Sequence, residues 1–256
     1  MNDALLETRN LNRFFGGLHA VRDVSISVRR GGIHAVIGPN GAGKTTLFNL
    51  IAGTLAPHGG EVFFAGKPIT AKKPHAIAAL GIARTFQTTR LFPQMTVLEN
   101  VMVGRHCRTR AGFIAGMLSL PWTLREEREA EKRAARVLQD IGLGKFAMER
   151  ASDLPFGRQR LVEFARAMAM EPQLMLLDEP AAGLNIYETK ELAALITRFR
   201  DQGVTCLVVE HDMSLVMDIS DEVVVLDQGR KIAEGPPRAI QRNHDVIRIY
   251  LGDDNA

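Results

Sequence analysis

One short stretch limits what this 256-residue chain can fold into more than any other: Gly38-Pro39-Asn40-Gly41-Ala42-Gly43-Lys44-Thr45-Thr46 meets the spacing GxxxxGK[ST] at every required position. Its flanks fit as well. Ile33 to Ile37 reads as a short buried strand, and Thr45 to Ala52 reads as a helix with Leu47, Leu50 and Ile51 facing inward. Glycines let a backbone wrap so that several N–H groups point at one anion, and the following helix presents its positive end to the same point. Lys44 adds a full charge for the β and γ phosphates, and Thr45 offers a hydroxyl to Mg²⁺, a hard cation that prefers oxygen. The stretch predicts a nucleoside triphosphate site on an α/β scaffold.

Composition narrows the setting. Hydrophobic residues make up 46% and charged residues 24%, an ordinary globular balance that can bury a core. Lysine and arginine number 32 against 29 aspartates and glutamates, so a net charge of +3 leaves no nucleic-acid footprint. The two cysteines, Cys107 in a basic stretch and Cys206 in an apolar run, suggest neither a disulfide framework nor a metal site. No signal-peptide pattern opens the sequence. The longest uncharged run, Ala111 to Leu124, holds two glycines and a proline and falls short of the ~20 apolar residues that a span requires.

Alternation of apolar and polar residues in Val24 to Val28, the turn Gly31-Gly32, and Glu61 to Phe64 before Gly66 predict an antiparallel flap. Beyond Phe86 the pattern turns helical. Thr96 with Glu99, and Thr123 with Glu126, are capping boxes that open two helices, the second running to about Ile141. Strands and helices then alternate: a helix from Arg158 to Met170, strand Leu174 to Leu177, helix Tyr187 to Gln202, strand Val204 to Val209, helix Met213 to Ile219, strand Glu222 to Leu226. Such alternation implies a mostly parallel sheet covered on both faces. The expected organisation is a core over residues 1–89 and 156–235, a helical insert over 90–155 and a C-terminal extension over 236–256. One phosphate loop and no internal repeat make a single cassette.

The strand Leu174 to Leu177 ends in Asp178 and Glu179, which brings acids to the edge of a parallel sheet beside the phosphate loop. In phosphoryl transfer an aspartate at this point holds Mg²⁺, and a neighbouring carboxylate orients and deprotonates the attacking water. Asp178 is assigned to the metal and Glu179 to the water.

The phosphate loop, Thr85-Phe86-Gln87, Leu154-Pro155-Phe156-Gly157-Arg158-Gln159, the acidic strand end and Glu210-His211 follow the order of the ATP-binding cassette (ABC) family, which the chain resembles over nearly its whole length. The resemblance implies the P-loop NTPase (RecA-like) core with antiparallel flap and inserted helical subdomain, and ATP with Mg²⁺ as cofactors. It assigns Gln87 to Mg²⁺ and the attacking water, His211 to the γ-phosphate, and Phe15 to stacking on adenine, with Phe14 a close competitor. Residues 154–159 correspond to the signature that covers a partner subunit's nucleotide, and Asn185 to the D-loop. Two positions depart from the family pattern. Pro155 stands where the signature carries serine, which removes a hydroxyl and a backbone donor, and Asn185 stands where aspartate is common.

Within the family, Arg84 to Phe92, Leu177 to Asn185, Glu210 to Met213 and Asp245 to Gly252 are similar to the ATPase subunits of branched-chain amino acid importers, and more distantly to urea or amide importers and a lipopolysaccharide-export ATPase. That resemblance implies a second ATPase subunit, identical or paralogous, two membrane permeases, a substrate-binding protein acting indirectly, no nucleic acid, and a peripheral place on the cytoplasmic face of the inner membrane. Leu91, Phe92, Pro93 and Met95 are candidates for a permease-docking surface. The cluster Arg105, His106, Arg108 and Arg110 reads as a solvated loop, with contact to anionic lipid as its sharper alternative. Two other readings stand beside the importer: a clamp on nucleic acid or ribosomes, which usually needs two cassettes or a long insertion, and a low-turnover regulatory subunit, against which Glu179 argues.

Overall fold

The computed structural model describes residues 4–85, 90–105 and 121–251. They divide into two compact units, one of residues 1–84 with 173–256, the other of residues 85–172. The first unit contains β1 (Ala4–Phe15), β2 (Leu18–Arg29), β3 (Ile33–Ile37), α1 (Lys44–Ile51), β4 (Gly59–Phe64), β5 (Lys67–Pro68), α2 (Pro74–Ala79) and β6 (Ile82–Arg84). The second holds α3 (Val97–Arg105), α4 (Pro121–Asp140) and α5 (Phe156–Met168). The chain then returns to the first unit with β7 (Leu174–Asp178), α6 (Ile186–Asp201), β8 (Thr205–Val209), α7 (Met213–Ile219), β9 (Glu222–Asp227), β10 (Arg230–Gly235), α8 (Pro237–Gln241) and α9 (His244–Leu251).

Two sheets build the first unit. One is antiparallel, in the order β2-β1-β4-β5, and supplies the flap; the other has the order β10-β9-β3-β8-β7-β6 and is parallel except at β10. Every residue of β3, β7 and β8 is buried, as strands covered on both faces require. These three strands lie side by side, so the loops that follow them open at one edge of the sheet. The phosphate loop, the Asp178-Glu179 pair and Glu210-His211 follow β3, β7 and β8 in turn. The flap is longer than the sequence pattern implies. β1 pairs with β2 through several register shifts, and those irregularities interrupt the two-residue periodicity by which a strand is read.

A second apolar cluster joins Ala35 and Ile37 of β3 to Val223 and Val225 of β9, Val216 of α7, Ile240 of α8 and Val246 of α9. The C-terminal helices are therefore part of the core directly before Gly38. The backbone N–H of Gly38 also faces the phenol of Tyr250, whose pKa is raised by burial of the ring and eased back by that N–H.

In the second unit α3, α4 and α5 pack on one another. Gly104 allows the closest approach, since a Cβ there would lie 2.1 Å from the carbonyl oxygen of Arg166. α5 packs with these helices in the unit of residues 85–172, and the chain returns to the first unit at Gln173. The first capping box forms as expected, with Thr96 N–H donating to Glu99 Oε2 at 2.7 Å and Glu99 N–H to Thr96 Oγ1 at 3.1 Å. The second does not. Thr123 lies inside α4, which is described from Pro121, and so is not the residue that caps it. The basic cluster is corrected in part: Arg105 is buried, donates to the carbonyl of Ala169 at 3.0 Å and pairs with Glu171 at 3.0 Å, so it is no solvated loop residue. His106, Cys107, Arg108 and Arg110 lie outside the described residues, as does Gln87.

Candidate active site

The phosphate loop turns sharply between β3 and α1, and two of its glycines have no substitute. A Cβ on Gly38 would sit 2.0 Å from the carbonyl oxygen of Leu226, and one on Gly43, where φ is +100°, would sit 2.4 Å from that of Ala20. Neighbouring chain holds the loop from outside. Gly229 N–H donates to the Ala42 carbonyl at 3.1 Å, and the Gly229 carbonyl accepts from Arg22 N–H at 2.7 Å. With the backbone so fixed, the N-terminal amides of α1, which have no partner within the helix, are aimed before any anion arrives.

Lys44 is buried, and its ammonium donates to the carbonyls of Gly38 at 2.6 Å and Pro39 at 3.0 Å. Burial lowers its pKa, while the charges of Glu179 and Asp178 work in the other direction. A cleft of about 270 Å³ gathers Phe15, Leu18, Ala20, the loop from Asn40 to Thr46, and Glu179. Phe15 lines this cleft. Phe14 instead stacks on the His19 ring at 3.9 Å between centroids. A larger cleft of about 540 Å³, lined by Leu5, Arg9, Arg30 and Phe63 among others, brings together no comparable set of phosphate-binding groups.

Asp178 is buried at the end of β7, and Glu179 follows it with φ at +46°, a conformation costly for a side chain with a Cβ. The turn is held in place: Glu179 N–H donates to the Val209 carbonyl at 2.9 Å. His211 Nδ1 stands 3.9 Å from Glu179 Oε2 and 3.7 Å from Glu210 Oε2, and its ring is largely exposed. Thr45 and Asp178 offer a hydroxyl and a carboxylate, the oxygen donors that Mg²⁺ prefers. Among the described residues no cluster of three or more histidines, cysteines or acids forms a separate metal centre.

Three residues here carry no role in the sequence reading. Fully buried Glu210 accepts from the N–H groups of Ala181 at 2.9 Å, His211 at 3.0 Å and Asp212 at 3.4 Å, joining the loop after β7 to the loop after β8. Arg84 pairs with Asp178 at 2.9 Å and donates to Asn49 at 2.7 Å. The signal for Glu210 is an acid directly after the apolar run Cys206 to Val209 of β8; none exists for the pairing of Arg84, which depends on strand register.

In the second unit, Pro155 caps α5 without a side-chain bond, and Gln159 Nε2 donates back to the Leu154 carbonyl at 2.9 Å. Gly157 is buried, and Phe156 is exposed. The Arg158 guanidinium lies 4.1 Å from the centre of the Phe146 ring. Asn185, in the first unit, caps α6: its side-chain oxygen accepts from Tyr187 N–H at 2.9 Å and Glu188 N–H at 3.1 Å, and Glu188 returns a bond to Asn185 N–H. An aspartate would make the same cap, so asparagine here keeps the helix start and drops only the charge.

Comparison with known proteins is consistent with this geometry. Residues 21–182 match the family model described as ABC transporter, and residues 230–256 match that of the branched-chain amino acid ATP-binding cassette transporter. The chain is 46% identical, over 99% of its length and 100% of the relative, to the high-affinity branched-chain amino acid transport ATP-binding protein BraF of Pseudomonas aeruginosa. A crystal structure of an ATP-binding cassette of an ABC transporter in its ADP conformation superposes with a TM-score of 0.85 at 33% identity, covering 98% of this chain and 99% of that one. A dimeric bacterial ABC transporter cassette gives 0.77 at 25% identity, with 91% and 99% covered.

Proposed function

Because this chain belongs to the ABC transporter family of ATP-binding subunits, we propose that it is the ATP-hydrolysing subunit of an importer for branched-chain amino acids. It is an ATPase of that family. The substrate rests on one observation: the likeness to the branched-chain relative runs the full length of both chains and includes a C-terminal segment with a family model of its own.

The residues divide the work as follows. Phe15 stacks on the adenine, and the amides of residues 40–46 with Lys44 take the phosphates. Lys44 exchanges its bonds to the Gly38 and Pro39 carbonyls for phosphate oxygens. Thr45, Asp178 and Gln87 would hold Mg²⁺, which when bound would offset the negative charge of the nucleotide's phosphates. Glu179 orients and deprotonates the attacking water, while His211, beside it, contacts the γ-phosphate. The opposite side of the nucleotide is covered by residues 154–159 of a second subunit. With no hydroxyl at Pro155, that contact falls to the amides that open α5 at Phe156 and Gly157. Loss of the γ-phosphate releases the pair, which moves the membrane permeases.

Phe92, Pro93 and Met95 are exposed and form the surface that a permease helix contacts. No helix among the described residues is long and apolar enough to cross a membrane; the subunit sits peripherally on the cytoplasmic face of the inner membrane. The test is reconstitution of the chain with its permeases and binding protein in vesicles. ATP-dependent uptake of leucine, isoleucine or valine, lost in Glu179→Gln, supports the reading; uptake of another solute class alone overturns the substrate. Tight, salt-sensitive binding of nucleic acid without permeases would favour the clamp.

A further inference from the structure

Arg84 ends β6, the edge strand beside β7, at the last residue of the first unit before the chain crosses to the second. Its guanidinium spans two elements of the nucleotide site. One nitrogen donates to Asp178 Oδ2 at 2.9 Å, the other to Asn49 Oδ1 at 2.7 Å. Asn49 lies on α1, four residues beyond Thr45, and its carboxamide oxygen also accepts from the Thr54 hydroxyl at 3.1 Å. Asp178 is buried and Arg84 half-buried, their side chains being 6% and 11% exposed.

A single rigid fork therefore ties the helix that carries Lys44 and Thr45 to the strand end that carries Asp178. Arginine suits this position because its donors diverge in a fixed plane; the single ammonium of lysine cannot hold two acceptors on different elements in the same way. A partner that fixes a metal-ligating carboxylate controls how well the ligand set meets the ion.

We infer that Arg84 is a positioning residue for the metal-bound nucleotide, setting the orientation of Asp178 relative to Thr45. This rests on the reading of Asp178 as the carboxylate that holds Mg²⁺. Arg84 touches neither nucleotide nor attacking water in this role; it acts through Asp178 and Asn49.

The test is a Mg²⁺ titration of binding of a fluorescent ATP analogue to the full chain, made for wild type, Arg84→Met, Arg84→Lys, Asp178→Asn and the double variant Arg84→Met/Asp178→Asn. Arg84→Met should raise the Mg²⁺ concentration for half-maximal binding about tenfold, and Arg84→Lys by less. Binding in excess chelator should be unchanged. In the Asp178→Asn background, Arg84→Met should add no further shift. A lowered melting temperature with a wild-type Mg²⁺ requirement, in Arg84→Met or in Arg84→Lys should the first fail to fold, makes Arg84 merely structural and overturns the inference. A wild-type Mg²⁺ requirement in Asp178→Asn overturns the metal reading itself, whatever Arg84→Met does.

Discussion

The ammonium of Lys44 lies 2.6 Å from the carbonyl oxygen of Gly38, so the loop's only side-chain cation is bound to the loop's own first residue. Such a contact keeps the buried charge solvated by protein and holds it where phosphate oxygens will arrive. Lys44→Ala should reduce ATP hydrolysis by about 100-fold or more, measured as phosphate release. Melting temperature should change little, because the same substitution removes a buried charge whose pKa burial already lowers.

Glu179 is separated from the binding groups by role though not by distance. Glu179→Gln keeps the shape of the side chain and removes the base, so hydrolysis should fall about 10²–10⁴-fold while ATP binding stays. Equal loss of binding and turnover would make Glu179 a ligand-holding residue instead.

His34 carries a pH signature unrelated to catalysis. It is buried on β3, its Nε2 accepts from Arg29 N–H at 3.0 Å, and its Nδ1 lies 3.8 Å from Glu222. Burial, helped by the Arg29 charge and opposed by Asp221 and Glu234, pushes its pKa down from 6.5 to about 4. Below pH 6.5 the unfolded chain binds a proton that the folded chain refuses, so stability falls as pH drops from about 6.5 to about 4. The contribution approaches about 3 kcal/mol at the acid end. Replacing His34 by glutamine should flatten denaturant-measured stability across that window.

Asn100, fully buried, staples the exposed apolar loop before α3. Its Oδ1 accepts from Phe92 N–H at 2.8 Å, and its Nδ2 donates to the carbonyls of Phe92 at 3.0 Å, Met95 at 3.3 Å and Thr96 at 3.0 Å. Asn100→Ala removes the acceptor of Phe92 N–H and the second donor to three carbonyls that keep bonds from Met95, Ala151 and Asn100 N–H, at about 1–2 kcal/mol. Co-purification with the permeases should fall more than ATP binding does.

Val246 tests whether the C-terminal helices are structural. Val246→Ala opens space in the cluster that includes Ile37 and should cost about 1–2 kcal/mol, read as a lowered denaturation midpoint.

Much of the site was legible because its chemistry is local. The phosphate loop, the acids after an apolar strand and the Thr96–Glu99 capping box depend on backbone geometry within a few residues, which sequence spacing encodes directly. The flap strands were less legible because register shifts break their alternation. Thr123 with Glu126 has the spacing of a capping box, yet Thr123 lies inside α4.

By itself, then, the sequence determined a triphosphate site on an α/β cassette, its acids, and the family whose motif order it shares. Only the tertiary structure decided that Phe15 and not Phe14 lines the cleft, that Arg105 is buried, that Glu210 joins two loops, and that Arg84 holds Asp178. Each of these pairs residues far apart in the chain. Which side chains meet there is set by the order and register of strands in the sheets and by the packing of helices, and no spacing along the sequence records it.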